Sequence, residues 1–269
     1  MSRTVLDRIV KQSVKALSAA TDPLQSSFGG PRLLVYHQID AGLGREMEVT
    51  FAAFLEQLAW LEAGYEVVSF DEAWRRRDEP GAERLVVLTF DDGYDDMYRL
   101  AFPLLRERQL PFTVYVTTHP VESGEALFPG GHAEPCTWDQ LEEMAGSGLM
   151  TLGAHTDRHE DLRTLNSEQV AQDLGRSNEL IRNRMGMVPR HFCYPYGFWS
   201  EAAHRPVAAT YETAVLGSGP PMGAGTDPLM IPRLPIQLSD GLVWFKRKLK
   251  GGFRLEDNLR RRYKGYDGP

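Results

Sequence analysis

Two groups of side chains in this 269-residue chain have the composition and spacing to do chemistry. The first is Thr89-Phe90-Asp91-Asp92-Gly93-Tyr94-Asp95-Asp96, where adjacent carboxylates follow the apolar run Leu85-Val86-Val87-Leu88. Carboxylates placed at the end of a buried strand are costly unless they are paired, solvated or bound to a metal. The plain alternative is an acidic loop opening a helix whose N-terminal dipole favours negative charge. A calcium loop is disfavoured, because the glycine falls third and no oxygen ligands alternate before it. The second group is His155-Thr156-Asp157-Arg158-His159. Two histidines four apart, following a strand, can converge on one ion through their ring nitrogens. With one carboxylate they form a three-ligand set that leaves positions open for water, as in a catalytic rather than a closed structural centre.

Such residues act together only if several strands end at one mouth. The chain reads as strands alternating with helices, which predicts a parallel sheet or barrel. Expected strands are Leu33–Tyr36, Glu66–Phe70, Leu85–Phe90, Phe112–Val116, Met150–Ala154, His191–Tyr194, Thr213–Leu216 and Met230–Ile236. Thr50 should cap a helix that stops at Gly64, and Thr137-x-x-Gln140 reads as a capping box. A further helix is expected from about Asn166 to Met185, stopped by Gly186, and another from Ser200 to Thr210. The expectation is an α/β fold, a distorted (β/α) barrel of about seven strands with extra helical segments at both termini, although an open doubly wound sheet would give a similar string.

Composition agrees with an ordinary globular chain: 42% hydrophobic and 25% charged residues. The two cysteines, Cys136 and Cys193, read as reduced thiols, and Cys193 as a buried packing residue. No run reaches the ~18 apolar residues of a membrane span. Asp7, Arg8, Lys11 and Lys15 break any signal-peptide core, so a cytoplasmic location is expected. A net charge of −7 argues against nucleic acid as a partner. Both ends are nevertheless basic: residues 1–17 carry four basic side chains against one acidic, and residues 244–269 nine against three. Leu6, Ile9, Val10, Val14 and Leu17 mark one basic amphipathic segment. Trp244, Phe245, Leu249 and Phe253, alternating with Lys246, Arg247, Lys248, Lys250 and Arg254, mark another. Either end could pack on the barrel, or make peripheral contact with an anionic membrane surface at the inner face of the plasma membrane. The division is therefore an N-terminal helical segment over residues 1–30, a catalytic barrel over 31–240 and a basic C-terminal segment over 241–269.

The chain resembles the polysaccharide deacetylase family, the NodB-homology domain. The likeness rests on Val35-Tyr36-His37, Thr89-Phe90-Asp91-Asp92-Gly93-Tyr94, Ala154-His155-Thr156-x-x-His159 and Phe192-Cys193-Tyr194-Pro195-Tyr196-Gly197. It implies a divalent metal, Zn2+ first, with Co2+, Ni2+ or Mn2+ as alternatives. By the same resemblance, Asp91 matches the catalytic base, Asp92, His155 and His159 match the metal ligands, and Pro195-Tyr196 supplies a backbone N–H for the oxyanion. The implied reaction is removal of N-acetyl groups from amino sugars of a surface polysaccharide or its lipid-linked precursor, with a metal-bound water as nucleophile. The alternatives are a deformylase or O-acetyl esterase of the same fold, or a catalytically degenerate glycan-binding barrel.

Two departures from the family pattern focus the remaining candidates. The arginine that commonly opens the third motif is Cys193 here, and Arg233, in Ile231-Pro232-Arg233-Leu234-Pro235-Ile236, is the candidate to replace it from a different strand end. No histidine follows His204, so His37, ending the first strand, is the candidate general acid. Tyr196, Phe198 and Trp199 follow the third motif and are the aromatic candidates for touching a glycan substrate.

Overall fold

The computed structural model describes Ser13, Lys15, Ala16 and residues 29–127, 134–219 and 222–251. The expected N-terminal apolar stripe (Leu6, Ile9, Val10, Val14, Leu17), and Phe253 and Arg254, lie outside the described residues. The described elements are β1 (Arg32–Tyr36), β2 (Gln38–Ile39), β3 (Glu48–Val49), α1 (Phe51–Gly64), β4 (Glu66–Val67), α2 (Phe70–Arg76), β5 (Leu85–Asp92), α3 (Phe102–Glu107) and β6 (Phe112–Val116). They continue as α4 (Thr118–Ser123), α5 (Trp138–Gly146), β7 (Met150–Ala154), α6 (Ser167–Met185), β8 (His191–Cys193), α7 (Glu201–Thr210), β9 (Thr213–Val215), β10 (Leu234–Pro235) and α8 (Gly241–Leu249).

The main sheet is parallel, in the order β10-β1-β5-β6-β7-β8-β9, with β4 added beside the start of β5. All eight residues of β5 are buried, as expected of a central parallel strand covered on both faces. The two outer strands approach each other through one short segment. Ile231 bridges to Val215 at the end of β9, and Leu234 pairs with Leu34 of β1. Four residues thus span from one edge of the curled sheet to the other, and Arg233 lies among them. This is the expected distorted barrel of about seven strands. Short 3-10 turns, Leu162–Thr164 and Pro195–Gly197, follow β7 and β8.

Most helix signals match. Thr137 and Gln140 form a reciprocal capping box on α5, and Asn166 and Gln169 form another on α6. Gly186 ends α6 in the left-handed conformation at φ 66°. Three expectations change. The strand expected over Glu66–Phe70 stops at Val67, because the Ser69 hydroxyl accepts the Glu72 N–H and opens α2. The strand expected over Met230–Ile236 shrinks to Leu234–Pro235, since Pro232 and Pro235 have no N–H to donate to a ladder. The helix expected after β5 begins as a π turn, Met97–Ala101, before α3.

The basic C-terminal segment is packed down where it is described. Phe245 and Leu249 of α8 are buried, and Phe245 meets Trp60 of α1 edge-on. Lys248, expected on a solvated basic face, is buried and donates to Pro235 O and Asp240 Oδ2. Among the described residues no helix is long and apolar enough to cross a membrane.

Candidate active site

The site begins where β5 ends. Asp91 and Asp92 are the last two residues of that strand, in register with Tyr115 and Val116 of β6. Alternation would send adjacent side chains to opposite faces. Asp92, however, has φ 75°, a region L residues enter at a cost. The chain turns there, and both carboxylates reach the surroundings of His155. Gly93 continues the turn at φ 79°, where an added Cβ would sit 3.1 Å from Val116 Cγ2. Thr156 (φ 68°), His159 (φ 55°) and Tyr196 (φ 58°) complete a concentration of positive-φ residues around the mouth.

The loop after β7 carries both histidines. His155 Nδ1 donates to Cys193 O at 2.8 Å, which fixes the tautomer and aims Nε2 at Asp92. His155 Nε2 and His159 Nε2 each lie 3.4 Å from Asp92 Oδ1. The loop is held from outside. The Asp157 N–H donates to Asp173 Oδ1 of α6 at 2.9 Å, and Asp157 Oδ1 accepts from Thr118 Oγ1 at 2.9 Å. The His159 N–H is anchored on Thr156 Oγ1.

Asp92, His155 and His159 are buried, and their ligand atoms lie within 4.8 Å of one another. Neither oxygen of Asp92 has a hydrogen-bond partner among the described residues. A buried carboxylate left in that state is expensive, and a cation between it and two imidazoles resolves the cost. Burial holds the His159 imidazole down to about 4, whereas the Cys193, Asp92 and Asp91 side chains beside His155 outweigh burial and push that ring well above the ordinary histidine value. The set of two nitrogens and one oxygen suits zinc and its first-row neighbours. The residues present therefore fit a divalent metal.

Asp91 has a different principal partner. Arg233 meets it as a fork, with Nη1 to Oδ1 at 2.7 Å and Nη2 to Oδ2 at 2.6 Å. The guanidinium is itself clamped: Nε donates to Leu216 O and Nη1 to Thr89 Oγ1. Burial pushes Asp91 up, but the Arg233 charge and hydrogen bonds outweigh it and hold the carboxyl below the ordinary range. Asp91 is thus an ionised, buried, oriented carboxylate. His37 Nε2 lies 3.9 Å from Asp91 Oδ2, and burial holds its pKa below the ordinary histidine value despite both carboxylates.

The third-motif aromatics separate. Tyr196 is 44% exposed and packs edge-on against His159 with centroids 4.6 Å apart. Phe198 is buried beneath the Arg163 guanidinium, 3.5 Å from its ring centroid. Trp199 Nε1 donates to His204 Nδ1 of α7. Pro195 is buried at the base of the turn. Cys193 is no mere packing residue. Its sulfur lies within 4 Å of Asp91, Arg233 and His155, a placement that a pairing of β8 with β9 does not disclose in sequence. Asp157 and Asp173 were likewise hidden, although an acidic residue between two candidate ligand histidines was a signal.

The chain is similar to several known proteins. A Bacillus subtilis (strain 168) relative, named among polysaccharide deacetylases, is 28% identical over 199 residues, covering 73% of this chain and 64% of its own length. The poly-beta-1,6-N-acetyl-D-glucosamine N-deacetylase of Escherichia coli (strain K12) is 30% identical over 191 residues, covering 57% of this chain and 28% of that protein. The chain therefore spans less than two thirds of either curated relative. The solved structure of IcaB from Ammonifex degensii superposes with a TM-score of 0.70 at 25% identity, over 82% of this chain and 96% of that one. A sequence model described as polysaccharide deacetylase matches residues 78–214, a stretch that holds β5, both histidines and the third motif. The chain belongs to the polysaccharide deacetylase family.

Proposed function

We propose that the protein is a metal-dependent hydrolase that removes N-acetyl groups from an amino-sugar polymer, with poly-β-1,6-N-acetylglucosamine as the first substrate to test. The observation that carries this reading is the division of the two adjacent carboxylates. Asp92 faces two imidazoles, while Asp91 faces an arginine. One environment suits a cation and the other keeps a base ionised. The polymer is suggested by the Escherichia coli relative's name.

Asp92, His155 and His159 would hold a divalent ion, which when bound supplies Lewis acidity to the acyl carbonyl and an acidified water. Asp91, held below the ordinary carboxyl range by Arg233, is ionised at neutral pH and would take the proton of the attacking water. Resting His37 is neutral, so it enters as an acceptor next to Asp91 Oδ2. The proton that reaches the departing amine is then the one Asp91 removed from water, passed directly or through His37. The family resemblance assigns the Tyr196 main-chain amide to the oxyanion, and the ring of the same residue packs edge-on against His159. The exposed Tyr196 ring offers an apolar face to a sugar.

The test is acetate release from β-1,6-linked N-acetylglucosamine oligomers by the zinc- or cobalt-loaded protein. Release that falls at least about 100-fold in Asp91→Asn supports the reading, given the usual size of general-base effects. A loaded, folded protein that binds the oligomer and releases no acetate would favour a glycan-binding barrel.

A further inference from the structure

Cys193 takes no part in the scheme above, yet it lies between the base and the metal ligands. It ends β8, opposite Val215 of β9, and is buried. Its sulfur is 3.0 Å from Arg233 Nη2, 3.4 Å from Asp91 Oδ2 and 3.9 Å from His155 Nε2. Its carbonyl oxygen accepts the His155 Nδ1 hydrogen bond at 2.8 Å. An alanine or valine would fill the place as an apolar packing residue. A thiol adds a weak acceptor and a weak donor, and here each has a partner. The Arg233 N–H points at the sulfur. The S–H can reach Asp91 Oδ2 at 3.4 Å or Tyr194 O at 3.6 Å, and the ionised oxygen is the better acceptor.

The three atoms Asp91 O, His155 N and Cys193 Sγ are close enough to suggest a second cation site. The Arg233 guanidinium rules against it, since its positive charge already sits within 3.0 Å of both the carboxylate and the sulfur. What remains is a geometric role. A guanidinium fork fixes two oxygens of Asp91 but leaves the carboxylate free to hinge about the line joining them. A third contact, from another strand onto Oδ2, resists that rotation because a donor prefers to lie near the plane of the carboxylate. The same residue holds the His155 ring through its carbonyl, so one residue at the end of β8 sets base and metal ligand relative to each other.

We infer that Cys193 is a positioning residue: its thiol, bridging Arg233 and Asp91 Oδ2, fixes the orientation of the base. The inference rests on the deacetylase reading for its kinetic arm only. Its direct test needs neither metal nor substrate. In a Cys136→Ala background, the S–H infrared stretch of the remaining thiol should move to higher wavenumber on Asp91→Asn, because a neutral amide accepts more weakly than a carboxylate. A band that does not move overturns the inference, whatever the kinetics. The kinetic arm compares Cys193→Ala and Cys193→Ser in loaded protein. Cys193→Ala should lower kcat by about tenfold, the scale of a modest misplacement of a reacting group. KM and zinc affinity should stay within about twofold of wild type, since the main-chain carbonyl is retained. Cys193→Ser, which keeps a donor and an acceptor, should recover most of the loss. An unchanged kcat in Cys193→Ala, or a serine variant as slow as the alanine one, overturns the positioning role. If the wild type itself shows no turnover, the deacetylase reading fails and the infrared band still decides the thiol's contact.

Discussion

Asp91 is buried and ionised because Arg233 approaches it from the segment that joins the two sheet edges. A lysine cannot reproduce the planar fork that contacts both oxygens. Arg233→Lys is therefore expected to lower kcat by roughly 10- to 100-fold while zinc affinity stays near wild type, as general-base contributions of this size suggest. Arg233 lowers the Asp91 pKa, so its loss must raise that pKa and move the acid limb of the kcat–pH profile upward. Stopped-rate assays across pH would show this shift, and a limb that stays put would contradict the pairing as the cause. Asp96 shows the opposite behaviour. Burial pushes its carboxyl up to about 7 despite hydrogen bonds from the Ile39 and Met97 backbone. A carboxyl raised on folding costs stability as pH climbs from the unfolded pKa, near 4, to the folded one. Asp96→Asn should thus melt higher than wild type at pH 8, with the gain disappearing by about pH 4. Thermal unfolding at the two pH values measures it directly.

At the scale of elements, the site depends on close contact between β6, β7 and the residue just before β10. A Cβ at Gly153 would lie 2.4 Å from Tyr115 Cδ1, and the Tyr115 ring in turn packs under the Arg233 guanidinium. Gly153→Ala forces that ring toward Arg233 and should destabilise the fold by about 2 kcal/mol, the usual range for overpacking. Urea unfolding would read the change. Most strands and the cap of α5 were legible in the sequence, because apolar runs and the Thr137–Gln140 pair act over a few residues. The helix at Phe70 was missed although Ser69-x-x-Glu72 is the same local signal, since the valines before it favoured reading on as strand. The shortness of β10 was written in Pro232 and Pro235. In the site, Asp91, Asp92, His155 and His159 stood out because their types and order carry chemistry. Cys193, Asp157 and Asp173 did not, because their roles arise from contacts across 16 to over 100 residues of chain. Arg233 could be nominated, but its fork on Asp91 follows only from the curl that brings β10 beside β1.

Across the whole molecule, the N-terminal segment and α8 meet at one buried charge. Asp240 accepts from Lys15 Nζ at 2.5 Å and from Lys248 Nζ at 2.7 Å, and Lys15 also reaches Ser239. Ser239 in turn donates to Glu46, in the loop that follows His37 and β2. The charge near the start of the chain is therefore tied to the end of the strand segment that carries Arg233. Asp240→Asn would take the shared carboxylate from two buried ammonium groups and leave neutral partners beside them, Ser239 for Lys15 and Pro235 O for Lys248. Breaking a buried ion pair from one side costs about 3–5 kcal/mol, and the urea midpoint should fall accordingly. The proposed mechanism has its own global requirement, a cation that residues from β5 and the loop after β7 would gather. Calorimetric titration of the metal-free protein with zinc and with cobalt tests this most directly, on wild type and on His155→Ala. One site per chain that His155→Ala abolishes, with the variant still folded, is the predicted result. A folded wild type that takes up no metal, or a site that survives loss of His155, would contradict the assignment of Asp92, His155 and His159 as its ligands.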